Sequence, residues 1–118
     1  IKFVANFSDL KLVVYVLEDG LIYNQVNATS YFGGQNPIVN FEHNHVLRAC
    51  LTNLVIGDAL TGTNAGSIVT RNFTIPIPAN VANVANIRFV AFVLDASGRA
   101  INVRGVAPNS NQTFQINP

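Results

Sequence analysis

Tryptophan and methionine are missing from this 118-residue chain, cysteine occurs once, and only 11% of the residues carry a charge. Each shortage excludes something. A lone Cys50 can form neither an internal disulfide nor a cysteine-based zinc site. Set among Leu47, Ala49, Leu51 and Leu54, it reads as a small buried hydrophobe. Seven bases against six acids are scattered along the chain. No basic stripe exists to neutralise phosphates, and we expect no nucleic-acid partner. No apolar run reaches the roughly 18 residues that a membrane-spanning helix needs. A secretory signal is not visible either. A chain that starts at Ile1 and lacks methionine is expected to be a mature form or an excised domain. Nucleophile-elbow and phosphate-loop patterns are absent: no Gly-x-Ser-x-Gly occurs, and neither Gly33-Gly34 nor the glycines at 62 and 66 precede a Lys-Ser or Lys-Thr.

What is present is apolar and rich in turns. Hydrophobic residues make up 49% of the chain, which excludes disorder, and the length suits one domain. Sixteen asparagines point to many short loops, because asparagine tolerates left-handed backbone. They also create four Asn-x-Ser/Thr sequons, at Asn6, Asn27, Asn72 and Asn111, which follow from the abundance alone.

The periodicity is that of strands. Residues 10–17 place Leu10, Leu12, Val14 and Val16 on one face and Lys11, Val13, Tyr15 and Leu17 on the other. Apolar content on both faces marks a strand well inside a sheet. Residues 1–7 read as an edge strand. After the turn residues Glu18-Asp19-Gly20, residues 21–26 form either a hairpin with the preceding strand or its continuation past a bulge. Residues 27–40 read as a long loop holding Tyr31 and Phe32, and residues 45–54 as extended. Residues 68–77 alternate, with Pro76 and Pro78 limiting them to an edge. A loop or single short turn is expected over 79–86. Residues 87–94 and 100–106 form the clearest pair, joined by Asp95-Ala96-Ser97-Gly98-Arg99 with Gly98 at positive φ. Residues 112–116 are expected to close the sheet. The expected fold is therefore all-β: an immunoglobulin-like β-sandwich of about seven to eight mostly antiparallel strands. The cysteine pair and tryptophan of antibody domains are absent, so the likeness is one of architecture.

The richest polar stretch is Phe41-Glu42-His43-Asn44-His45-Val46-Leu47-Arg48. Histidines two apart share a face if the chain is extended, and such a pair binds metal when a third ligand converges. Glu18, Asp19 and Asp58 are the candidates for that ligand. Glu18 and Asp19, adjacent on a strand, point to opposite faces and are ill placed as an acid/base pair. The more economical reading is that one caps the turn and the other pairs with Arg48 or a histidine. Tyr23, Tyr31 and Phe32 around the long loop could make a platform for a sugar or peptide, or pack beneath the loop. His43-Asn44-His45 is not the nuclease motif of the same letters, which is dispersed over a ββα-metal fold.

Several of these residues together resemble a known family. The run Leu12-Val13-Val14-Tyr15-Val16-Leu17-Glu18-Asp19-Gly20, then Gln25, His43-Asn44-His45-Val46-Leu47-Arg48, Gly57-Asp58 and Val90-Ala91-Phe92-Val93, resembles the outer membrane protein family named for a twenty-eight-kilodalton member. These are lipid-anchored surface proteins of bacteroidete-type Gram-negative bacteria, and the likeness covers most of the chain. It implies that residues 1–118 are a single β-sandwich domain, the C-terminal part of a larger exported lipoprotein whose lipidated cysteine lies upstream. It also implies an envelope location, an upstream neighbouring domain that is thioredoxin-like in some relatives, and membrane contact only through the upstream anchor. No catalytic residues and no cofactor come with it. Glu18, Gln25, His45 and Arg48 match the family pattern and read first as a polar network docking the long loop. The leading expectation is a non-catalytic domain for binding, adhesion or spacing, with protein or glycan as surface partner. Two other readings stand beside it: a metal site at His43 and His45, and an accessory module of an upstream enzyme-like domain.

Overall fold

A computed structural model of the chain describes residues 1–114. β1 (Lys11–Glu18) is its axis, because its side chains are apolar on both faces and can be covered on both. β6 (Ile87–Leu94) runs antiparallel along its whole length, from Lys11↔Leu94 to Glu18↔Ile87. On its other edge, β4 (Val46–Cys50) pairs with Tyr15 to Glu18 and the short β5 (Asp58–Ala59) with Lys11 and Leu12. β7 (Ala100–Val106) pairs with the outer edge of β6. The hairpin between them is tied as its turn residues require. Asp95 Oδ1 accepts from Ser97 N, Ser97 Oγ and Arg99 N, and Gly98 sits at φ 85°.

β2 (Leu21–Gln25) and β3 (Ile38–His43) form a second, two-stranded antiparallel sheet. All-β, antiparallel throughout and divided between two sheets, the fold class is the one expected, with seven strands among the described residues. Of the two readings of residues 21–26, continuation is the observed one: β2 runs on from β1 and pairs with β3, not with β1. β1–β2 and β3–β4 thus form one long ribbon, interrupted where Asp19-Gly20 faces Asn44-His45. That ribbon carries the β2–β3 arm beyond the main sheet. The shape follows: the molecule spans 54 × 31 × 26 Å with a radius of gyration of 17.8 Å, against about 13–14 Å for a compact chain of this length.

Other expectations shift. Residues 38–43, read as loop and motif, are strand β3. The extended stretch beyond Cys50 stops because Thr52 Oγ1 takes the Val14 N–H and a turn follows. Residues 1–7 and 68–77 meet only as the bridge Lys2↔Ile68, flanked by Phe3 N donating to Ser67 O and Val69 N to Ile1 O. The expected turn before β6 is a single 3₁₀ turn, Val84–Asn86. A closing strand is absent over 112–114; residues 115 and 116 lie outside the described residues.

The core lies on the Leu12–Val14–Val16 face of β1. Phe3, Leu10, Leu12, Val14, Leu60 and Val93 form its centre, with Leu51, Val69, Ala91 and Ile101 against it. Val16 is 1% exposed, and burying such a side chain stabilises by roughly 1.5–3 kcal/mol.

Candidate functional site

Glu18 follows Leu12, Val14 and Val16 in alternation, so the strand places a carboxylate where a hydrophobe would stand. It is 0% exposed. The cost of burying a charge is met by three donors. Arg48 Nε reaches Oε2 at 2.8 Å, Asn83 N reaches Oε1 at 2.7 Å, and Ala82 N reaches both oxygens at 2.9 and 3.1 Å. Arg48 arrives through a β-bulge. Val16 faces Ala49 and Leu17 faces Leu47, leaving Arg48 as the extra residue, and bulges re-aim side chains in this way. Burial by itself pushes the Glu18 carboxyl up. The Asn83 and Ala82 N–H groups and the Arg48 guanidinium together outweigh that and hold its pKa below the ordinary glutamate value.

One residue on, the backbone breaks the ladder. Asp19 Oδ1 accepts from His45 N at 2.7 Å and Asn44 Oδ1 from Gly20 N at 2.8 Å. Two side chains thereby replace the missing backbone pairs across the ribbon. Gly20 at φ 71° and His45 at φ 55° both take the left-handed backbone the break demands. Asp19 N also donates to Asn86 O, tying the junction to the segment that Glu18 holds. The motif Glu-Asp-Gly with His-Asn-His-Val-Leu-Arg is thus a joint between main sheet and arm. Of the residues singled out from sequence, the joint brings together Glu18, Asp19, His45 and Arg48.

His43 is elsewhere. It ends β3, its ring 5.1 Å from Phe41 and 6.3 Å from Tyr23. His45 lies past the strand end in left-handed backbone, so the same-face geometry of an extended His-x-His pair does not apply. Among the described residues, no three His, Cys, Asp or Glu side chains gather in a way that could hold a metal ion. Gln25 pairs with Ile38 and donates to Val26 O, outside the Glu18 network.

The arm carries a run of rings. Tyr23 faces Phe41 across the hairpin, Phe41 meets His43 edge to face, and Phe32 stands edge-on to Phe41 at 6.1 Å. Tyr23 is 58% and Phe32 65% exposed. Between Gly20 and His45 the only formal charge is Glu42. Tyr31 is exposed at the same loop. Alternation could not reveal Phe41, because Asn40 at φ 55° and the register shift between Tyr23 and Gln25 break the period of two.

The loop 27–36 is built on one buried side chain, Asn27. Asn27 Nδ2 donates to Tyr31 O and Gln35 O, and its Oδ1 accepts from Thr29 N and Thr29 Oγ1. A nitrogen so engaged is not open to glycosylation in the folded protein. Asn27→Ala is expected to cost about 1–3 kcal/mol, the penalty of carbonyls left without donors. Limited proteolysis should then cut within 27–36 while the main sheet stays intact. Equal resistance to wild type would show the loop to be held by something else.

The family described as outer membrane protein Omp28 matches residues 1–112. No curated protein matches the chain, and no solved structure does.

Proposed function

This chain belongs to the outer membrane protein Omp28 family and is a protein of the cell envelope; from that premise we propose that it is a non-catalytic recognition domain whose arm binds a neutral glycan at the cell surface. The observation that carries the reading is the ring run Phe32–Phe41–His43–Tyr23, exposed at Tyr23 and Phe32 and half-buried at Phe41 and His43, on an arm with one formal charge. Exposed aromatics with a polar rim are a recognition surface, since monomers seldom leave them open. Asn24, Gln35, Asn36 and Asn40 lie on the same arm and are exposed. An amide offers a donor and an acceptor side by side, which suits a hydroxyl. An ionic ligand would find little to pair with. In the envelope the domain is held at the membrane by a lipid anchor upstream and works beside its own upstream domain, with the main sheet as rigid support for the arm.

The test is a glycan array followed by calorimetry on the best neutral oligosaccharide. Tyr23→Ala and Phe32→Ala should each weaken binding about 10-fold, the worth of one stacked ring. Neither should lower the melting temperature by more than a few degrees, because both rings are more than half exposed and lose only their contacts to Phe41 or His43. Undiminished binding by the double variant would remove the arm from the reading.

A further inference from the structure

On the core side of the main sheet, away from the arm, a cavity of about 890 Å³ opens between the N-terminal segment, β6 and β7. Its walls include Phe3, Phe7, Leu12, Val93, Ile101 and Phe114. Phe3, Leu12 and Val93 are also members of the hydrophobic core, so the cavity reaches into the centre of the domain and is more than a patch on its surface. Its volume lies within the roughly 300–1,000 Å³ of small-molecule sites, and apolar walls with a few polar groups are their usual make-up.

The charged side chains among its described lining residues are of one sign. Lys2 and Arg104 line the cavity and are exposed, and none of the described lining residues is acidic, although the chain has six acids against seven bases. Arg104 is oriented: its Nε donates to Gln112 Oε1 at 2.7 Å, and Gln112 Nε2 donates to Gly105 O. An apolar recess with two cations beside it is complementary to an apolar chain that ends in an anion.

We propose that this cavity binds a single long-chain carboxylic acid, its alkyl chain against Phe3, Leu12 and Val93 and its carboxylate at Lys2 and Arg104. The recess favours a free monomer over a bilayer surface, since a bilayer cannot follow the walls down to the buried Phe3, Leu12 and Val93. The site is separate from the arm and does not depend on glycan recognition there.

Dodecanoate, titrated below its micelle concentration into the whole chain, is the probe. Burial of about ten methylenes gives an expected Kd in the micromolar range. Dodecanol should bind more weakly, and dodecyltrimethylammonium more weakly still. Lys2→Gln and Arg104→Gln together should lower the dodecanoate affinity at least about 10-fold and leave dodecanol unchanged, as expected for charge-assisted bonds lost from the head alone. Amide and methyl shifts on binding should centre on Val93, Ile101 and Phe114. Ile101→Trp, which fills the cavity, should abolish binding; if that variant does not fold, the shift map and the charge variants decide. The proposal is overturned by any of three results: no saturable binding below about 1 mM, equal affinity for the three head groups, or association with anionic vesicles but not with the monomer.

Discussion

Glu18→Gln is expected to lower the melting temperature at neutral pH by about 10 °C or more. Three N–H donors converge on the carboxylate, from Arg48, Ala82 and Asn83. A glutamine has one acceptor oxygen, so its amide group must point a donor at another donor. Arg48, with 15% of its side chain exposed, then keeps its charge in a nearly closed site without a counterion. The pH profile separates this charge effect from a loss of packing. The folded pKa of Glu18 lies below the ordinary value of 4.5. Its contribution is therefore complete above about pH 4.5 and disappears as pH falls through the folded value. The gap in melting temperature between wild type and Glu18→Gln should narrow steadily on acidification. Asp95 also titrates low, held down first by the Ser97 hydroxyl and then by Arg99 N–H. Some acid sensitivity should accordingly persist in the variant. A gap at neutral pH of less than about 2 °C, or one that does not change with pH, would show that Glu18 does not hold residues 82–83 to the sheet.

The second large effect comes from a glycine. Gly57 has φ 73°, and a Cβ there would lie 2.8 Å from Leu12 O and 3.0 Å from Val13 Cγ2. Both contacts belong to β1, the strand on which the whole sheet depends. Gly57→Ala should cost about 2–4 kcal/mol, with left-handed strain and overpacking acting together. Gly62 is the matched control: its φ is 68°, yet nothing lies within 4 Å of its would-be Cβ. Gly62→Ala should cost only the backbone share, about 1 kcal/mol. Urea denaturation gives both values, with unchanged slopes as the sign that the native state is otherwise intact. Equal losses at the two sites would mean that the turn before β5 moves aside at little cost.

Legibility in the sequence followed the range of the interactions. β1, β6 and β7, with the Asp95–Arg99 turn, are local patterns of alternation and turn chemistry, and they could be read directly. β3 could not, because the left-handed Asn40 and the register shift opposite it interrupt its period. Residues 68–77 alternate well but meet only one bridge partner, since alternation shows which face a side chain takes and not whether a neighbouring strand exists. The Glu18–Arg48 pair was one of several pairings the residues allowed, and the backbone donors of residues 82 and 83 gave no signal of their own. Asn27 showed itself as a sequon, while its work is to organise a loop.

Composition and alternation by themselves determined that this chain folds as antiparallel β-structure with scarce charge, because side-chain periodicity and hydropathy are properties of neighbours along the chain. Only the tertiary structure decided that β2 leaves the main sheet, that Glu18 is the buried acid and that Tyr23, Phe32, Phe41 and His43 form one surface. Strand partners come from positions as far apart as Lys11 and Leu94, and the carboxylate of Glu18 takes a partner 65 positions away. Their choice is set by which arrangement satisfies every backbone and carboxylate hydrogen bond at once, and no short stretch of residues specifies that sum.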